Sequence, residues 1–335
     1  MNIIVPMAGR GKRMRPQSLT TPKPMIPVAG KPIVQWLVEK LCAMTDDVID
    51  NIVYIINEDF GQEIESKLHQ IGKELGAKSS IVYQREALGT AHAIYCAKDF
   101  LEGHTIVGFA DTIFDADFTI SPEVDGIIWV KQVDDPSAFG VVKMDEKGII
   151  NDFVEKPSEF VSDLAIIGVY YFKNGLALRN ELKFLIDNNI REKGEFQITN
   201  ALESLKNKGY NFLPGKVMEW LDCGNKNATV ASNKRVLELG LVSKQKRENL
   251  TIENTEIIEP VYIGSNVFLK DSKVGPYVSI GEGSSLSKTE IENSIVQNFS
   301  KIIDTKLHNS MVGNYVHYNG SKDELNIGDY STKGK

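Results

Sequence analysis

The sequence predicts an α/β protein: a doubly wound sheet over residues 1–240, a β-solenoid over residues 250–320 and a polar tail over 321–335. Two observations carry this reading. As far as about residue 240, short β-branched runs alternate with amphipathic stretches, the arrangement that builds strands joined by crossover helices. Beyond residue 250 the alternation stops, and small apolar residues recur every five or six positions between Gly, Ser and Asn.

In chain order, "NIIVP" is the first strand. Pro32 opens a helix through "PIVQWLVEKLCAM", whose apolar residues recur at helical spacing. "NIVYIIN" is apolar on both faces, which suits a buried parallel strand. Helix "QEIESKLHQIGKEL", strand "SSIVYQ", helix "TAHAIYCAKDFL" and strand "HTIVGFAD" follow. Strands "GIIWVKQV", "GVVKMD" and "AIIGVYYF" and helices near 174–190 and 196–208 extend the unit, and "NKNATVASNKRVLELGL" closes it. In the solenoid the segment matches itself at a repeat of 17 residues. Gly264 aligns with Gly281, Leu269 with Leu286 and Ile303, and Val261 with Val278, Ile295 and Val312. Three short strands per coil bury a narrow core, and about four coils fit. A β-sandwich would need longer alternating strands and hairpin turns.

Composition is that of an ordinary globular chain: 335 residues, 42% apolar, 25% charged, net charge -7. Acidity argues against a nucleic-acid-coating role. Cys42, Cys96 and Cys223 are too few for a disulfide framework and lack metal-site spacing, so a reducing compartment is expected. With no membrane-length apolar run and no signal-peptide pattern, a cytoplasmic location is expected.

Against that acidic background the N-terminus stands out. "MAGRGKRMRP" follows the first strand with Arg10, Lys12, Arg13 and Arg15. Lys23 and Lys31 come next, and the first carboxylate is Glu39. Ligands of open α/β sheets sit beyond the carboxyl ends of strands. Gly9 and Gly11 let backbone amides approach an anion there, and Arg13 and Lys23 add fixed positive charge. It is not the dinucleotide fingerprint, because Met14 occupies the third glycine position. Nor is it a Walker loop, since no Gly-Lys-Ser/Thr follows.

With "TPKPMIPVAGKP" added, the segment resembles the sugar-1-phosphate nucleotidyltransferases, or NDP-sugar pyrophosphorylases. Four further motifs match in family order: "QREALGTAHAI", "FADTIF", "VEKP" and "EWLDCG". The repeats resemble the left-handed parallel β-helix of long members, so the resemblance covers essentially the whole chain. It implies a Rossmann-like, mixed sheet and transfer of a nucleotidyl group from a nucleoside triphosphate to a sugar 1-phosphate, with pyrophosphate released. The sugar phosphate is already an anion near neutral pH, so positioning and charge stabilisation carry the catalysis.

The resemblance implies roles for particular residues. Arg13 and Lys23 grip the triphosphate and the departing pyrophosphate; Arg10, Lys12 and Arg15 face solvent or tune the field. Nucleotide contacts extend to Ala8, Gly9, Gly11, Gln84, Gly89, Thr90 and Asp111. Asp111 and Asp222 supply hard oxygen ligands to Mg2+, which takes one or two carboxylates beside phosphate and water. Glu155 accepts hydrogen bonds from sugar hydroxyls and Lys156 pairs with the sugar phosphate, with Gly140 and Tyr170 at the sugar pocket; Tyr170 equally suits a core position. Gln84 presents an acceptor and a donor complementary to uracil or thymine, so dTTP or UTP is expected, with glucose 1-phosphate as acceptor. His92 is expected to pack. Ala8 and Ala110 stand where family members have glycine, Cys223 where Thr is usual and Phe139 where Tyr is frequent. The Met-Ala-Gly form occurs in branches acting on other phosphorylated substrates. CTP with such a substrate is therefore one alternative, and a catalytically silent regulator is another. Exposed solenoid surface suggests a homo-oligomer.

Overall fold

The computed structural model describes residues 1–116, 120, 124–242, 248–320 and 324–334. By contacts the chain divides into two compact units, Met1–Gly9 with Leu37–Trp220 and Arg10–Trp36 with Leu221–Lys335. This division differs from the expected one, because the basic segment after the first strand groups with the C-terminal half.

The first unit is built on a nine-stranded mixed sheet. Its central order is Ile150–Glu155, Gly140–Met144, Leu164–Phe172, Thr105–Gly108, Asn2–Pro6, Asn51–Ile56 and Lys78–Tyr83. Gly126–Gln132 adds to Leu164–Phe172, and Phe212–Lys216 pairs parallel with Gly126–Gln132. The run Thr105–Gly108, Asn2–Pro6, Asn51–Ile56, Lys78–Tyr83 is all parallel, and Leu164–Phe172 turns the sheet antiparallel. The inner parallel strands Thr105–Gly108, Asn2–Pro6 and Asn51–Ile56 are apolar on both faces because helices cover both. Ile4, Val53, Ile55 and Val107 join residues of helices Thr90–Cys96, Gly175–Asp187 and Ile198–Asn207 in one core. Asn174 caps Gly175–Asp187, accepting from the Ala177 N–H at 3.1 Å.

Two boundaries differ from expectation. Pro32 does not open the helix; Lys31–Pro32 pairs antiparallel with Pro27–Val28, and helix Ile33–Ala43 starts one residue later. "TAHAIYCAKDFL" divides into helix Thr90–Cys96 and a 3-10 turn, Lys98–Phe100, because Ala97 leaves helical geometry at φ -91, ψ 25.

In the second unit, helix Lys226–Glu238 and the segment Arg10–Trp36 accompany a parallel β-helix. Its ladders stack Thr251–Glu253, Phe268–Lys270, Ser285–Glu292, Lys301–His308, His317–Asn319 and Thr332–Lys333 in one sheet. A second sheet runs from Val261–Ile263 to Asn326–Ile327. The repeat is 17 residues only at the start. Leu269 faces Leu286 and Val261 faces Val278, as the spacing predicts. Val278 then faces Ser294 and Leu286 faces Ile302, a step of 16, and Met311 faces Asn326, a step of 15. The expected matches to Ile295 and Ile303 are therefore one residue out of register. A strand alternates its faces at every residue, so an uncorrected slip would turn the inward column outward. The shortened turns keep Ile263, Ile280, Val296 and Val312 stacked in the core. Residues 321–323 of the expected tail lie outside the described ones; beyond them Asn326–Ile327 and Thr332–Lys333 add to the ladders, which make more than four coils.

Candidate active site

In the first unit, Asn2–Pro6 and Thr105–Gly108 run side by side, Asn2 opposite Thr105 and Ile4 opposite Val107. They leave the sheet at the same carboxyl edge. Half-buried Ala8 and exposed Gly9 follow one strand; Ala110 and half-buried Asp111 follow the other. The two exits are tied, the Ala110 N–H donating to Pro6 O at 3.4 Å. A Cβ on Gly9 would meet nothing within 4 Å, so this glycine borders open space.

Two strands away, Gln84 follows Lys78–Tyr83 and is buried. Its Nε2 donates to Gly89 O at 3.3 Å and lies 3.2 Å from His92 Nδ1. Gly89 sits at φ +115, and a Cβ there would approach Phe196 O to 2.4 Å, so only glycine fits. The Thr90 hydroxyl donates to Gln197 Oε1 at 3.0 Å and accepts from the Ile198 N–H at 2.9 Å, tying the helix start to Ile198–Asn207.

His92, expected only to pack, thus touches the proposed base reader. Burial lowers its pKa below the usual 6.5, Glu86 opposes this and Arg191 adds to it. At neutral pH the ring is uncharged and Nδ1 accepts from Gln84 Nε2. The folded state favours neutral His92, so this contribution is complete above the unfolded pKa and is lost as pH falls through the folded one. Below that, Nδ1–H faces the Gln84 amino group. His92→Ala is expected to raise the nucleotide KM about three- to tenfold at pH 7.5, the worth of one hydrogen bond. The ratio to wild type should fall towards one as the pH drops through the lowered folded pKa of His92, read from KM profiles of both proteins.

Gly140 lies opposite Glu155 in an antiparallel pair. A Cβ at Gly140 would come within 3.1 Å of Glu155 Oε2 and 3.2 Å of Thr199 Cγ2. Glu155 Oε2 accepts from the Thr199 hydroxyl at 3.3 Å, and Oε1 pairs with Lys156 Nζ at 3.2 Å. The Glu155 side chain is 11% exposed and that of Lys156 48%, so the carboxylate is walled in while the ammonium reaches outward. Lys156 is held at φ +44, its N–H donating to Phe139 O at 3.0 Å and its carbonyl accepting from Lys193 Nζ at 2.7 Å. Phe139 packs edge-on against Trp220. Tyr170 is a core residue, buried between Phe109 and Phe172. Burial pushes its hydroxyl pKa up, and the charges of Glu155 and Asp111 add to the push.

In the second unit, Gly11 adopts φ +55, and a Cβ there would lie 2.9 Å from Lys23 Cβ. The turn therefore lays Lys23 directly on Gly11. The Ser18 hydroxyl and the Met14 N–H both donate to Gly11 O, at 2.7 and 2.9 Å. Lys23 is buried; Arg10, Lys12, Arg13 and Arg15 are exposed. Arg13 lines an open cavity of about 490 Å³ with Asn225, Lys226, Asn227 and Glu324 to Asn326. Asp222 is half-buried, and its carboxylate packs on Gly224, where a Cβ would come within 2.8 Å of Oδ2. Its carbonyl accepts from the Ser232 hydroxyl at 3.1 Å. Among the described residues no three His, Cys, Asp or Glu form a ready metal cluster. Asp111 and Asp222 each offer a carboxylate, the kind of hard oxygen donor that magnesium takes beside phosphate oxygens.

Sequence reasoning missed His92, Thr199 and Lys226. "GTAHAI" did place His92 near Gly89, but the contact arises only when strand end and helix meet. Thr199 and Lys226 carry no local signal; each is one polar residue in a helical stretch.

The nucleotidyl transferase family profile matches residues 2–238. The low-salt glycan biosynthesis nucleotidyltransferase Agl11 of Haloferax volcanii is 31% identical, over 95% of this chain and 93% of its own. A glucose-1-phosphate thymidylyltransferase of Streptomyces griseus is 28% identical over 99% and 98%. Among solved structures, the nucleoside-diphosphate-sugar pyrophosphorylase from Vibrio cholerae RC9 superposes with a TM-score of 0.60 at 20% identity, covering 69% of this chain and 99% of that one, a likeness of fold.

Proposed function

The chain belongs to the nucleotidyl transferase family, and we propose that within it this protein transfers a pyrimidine nucleotidyl group from dTTP or UTP to a sugar 1-phosphate, glucose 1-phosphate in the first instance. The observation that carries the reading is Asp111 at the carboxyl edge of Thr105–Gly108, one parallel strand from the glycine turn after Asn2–Pro6. That edge is where open α/β sheets bind ligands.

Lys156, extended from a fixed backbone, takes the sugar phosphate, and Glu155 accepts from sugar hydroxyls. Gln84 reads the N3–H of the base through Oε1. Arg13 and Lys23 neutralise charge that builds on the leaving pyrophosphate. Asp111 and Asp222 would hold magnesium, which neutralises phosphate charge and orients the α-phosphorus when bound. No proton transfer is required of any side chain. We further propose that the protein acts in the cytoplasm as a homo-oligomer; its three cysteines are free thiols, and no helix among the described residues is long and apolar enough to cross a membrane.

The test is pyrophosphate release from dTTP, UTP, CTP, ATP and GTP, each paired with a panel of sugar 1-phosphates and magnesium. Release dominated by dTTP or UTP is expected. Dominance of CTP would overturn the base assignment, and silence from every pair would favour a regulatory role.

A further inference from the structure

Gln17 is a buried polar residue in a loop whose arginines are exposed, and the proposed chemistry makes no use of it. It lies between Arg13 and Lys23, is 0% exposed, and spends its whole amide on the β-helix. The two N–H groups of Nε2 serve Ile327 O at 2.8 Å and Met311 O at 3.0 Å, with Asn326 Oδ1 also within reach at 3.2 Å. Oε1 accepts from Gln297 Nε2 at 3.0 Å. An amide with donors and acceptor all engaged in a buried site has one orientation, and losing it removes partners from buried polar groups.

The contacts continue beyond Gln17. Gln297 Oε1 accepts from Asn314 Nδ2 at 2.9 Å. The Asn314 N–H and Nδ2 donate to Asp329 Oδ1 at 2.7 and 3.2 Å. Asp329 Oδ2 in turn accepts from the hydroxyls of Thr20 and Thr21, at 2.6 and 3.1 Å. The chain of bonds thus leaves the loop at Gln17, crosses three coils, and returns to the loop three residues later. Pro16 fits against Gly328, where a Cβ would meet Pro16 O at 3.0 Å. Beside this circuit, Lys226 pairs with Glu324 in the cavity that Arg13 lines.

We propose that the last coils of the β-helix are a working part of nucleotide binding: the circuit Gln17–Gln297–Asn314–Asp329–Thr20 positions the glycine loop, with Gln17 and Asp329 as its positioning residues. The proposal rests on the nucleotidyl-transfer reading above. A clamp is needed because the loop carries no regular structure beyond single 3-10 turns, Lys12–Met14, Gln17–Leu19 and Lys23–Met25. Such turns do not hold cations to the tolerance that phosphoryl chemistry requires. An apolar side chain at position 17 would fill the space equally well. A polar circuit anchored on the buried Gln17 amide instead fixes one register of loop on coil.

The test compares Gln17→Leu, Asp329→Ala and Asp329→Asn with the wild-type full-length chain, by steady-state kinetics and by amide hydrogen exchange. Gln17→Leu is expected to lower kcat/KM for the nucleotide by on the order of a hundredfold, through both kcat and KM, with the sugar phosphate KM changed by less than about twofold. Asp329→Ala should lose about tenfold, and Asp329→Asn should recover most of it, because the threonine hydroxyls can accept from an amide. Exchange should rise selectively in residues 12–25. Should Gln17→Leu fail to fold, the Asp329 pair carries the test, its contacts to threonine lying at the surface. Folded variants with unchanged nucleotide kinetics would overturn the proposal, as would losses spread equally over nucleotide and sugar phosphate. If the wild type turns over no substrate pair, the reading of function falls and exchange alone judges the clamp: a selective rise in 12–25 sustains it, and no rise overturns it.

Discussion

Asp222→Asn is expected to lower kcat/KM by on the order of a thousandfold while leaving the fold in place. The amide keeps the size of the carboxylate, so it fits the same space against Gly224. The Ser232 hydroxyl, within helix Lys226–Glu238, donates to the backbone carbonyl of residue 222, a bond the substitution leaves in place. The substitution removes one negative charge. On the proposed mechanism that charge is half of the protein's share in holding magnesium, and an amide oxygen is a poor replacement for a hard anionic ligand. The loss should therefore come with a higher magnesium requirement. A magnesium titration of pyrophosphate release checks this, with thermal unfolding to confirm an unchanged fold; full activity at ordinary magnesium would remove Asp222 from the site.

Lys23→Met should cost about a hundred- to thousandfold, mainly in kcat. Methionine reproduces the apolar stem that packs on Gly11 and lacks only the ammonium. An exposed ammonium would be screened and replaced by water and salt, but Lys23 is 8% exposed, so its charge acts in a poorly solvated place. Charge on pyrophosphate grows as the bond to the α-phosphorus breaks, and a group that meets growing charge contributes more to the transition state than to the bound substrate. Steady-state and single-turnover rates give the division between kcat and KM. Arg10→Met, which alters an exposed cation of the same loop, serves as control and should change neither by more than about twofold.

The fold was legible where periodicity is enforced by burial. "NIVYIIN" is apolar on both faces because helices cover both, and that excludes an edge strand before any coordinates are seen. The solenoid was legible as a class but not in register. Composition marks which residues face inward, whereas the length of each coil depends on its corners, and these shorten from 17 to 15 residues along the ladder. The segment after residue 320 reads as a polar tail because its short strands bring so few apolar residues, Leu325 and Ile327 among them, to the core.

The site was legible as a set of residue types and motifs, and less so as contacts. Gly11 was read as a turn glycine, and its left-handed backbone is found only in the structure. Gln84 was read for its free amide, yet Gly89 and His92 take up its amino group. That contact joins a strand end to a helix and leaves no pattern in the chain. Gln17 shows the same limit more strongly. Its partners lie 280 to 310 positions away, and nothing in "RPQSLTT" distinguishes it from an ordinary loop glutamine.

The central claim is that an oxygen of the sugar phosphate attacks the nucleotide's α-phosphorus. Running the favoured pair with a sugar 1-phosphate carrying oxygen-18 at its three non-bridging positions tests it most directly, by mass spectrometry and phosphorus NMR of both products. The account predicts the label in the bridge between the two phosphorus atoms of the nucleotide sugar, and unlabelled pyrophosphate. Label in the pyrophosphate, or a bridge without label, would contradict it.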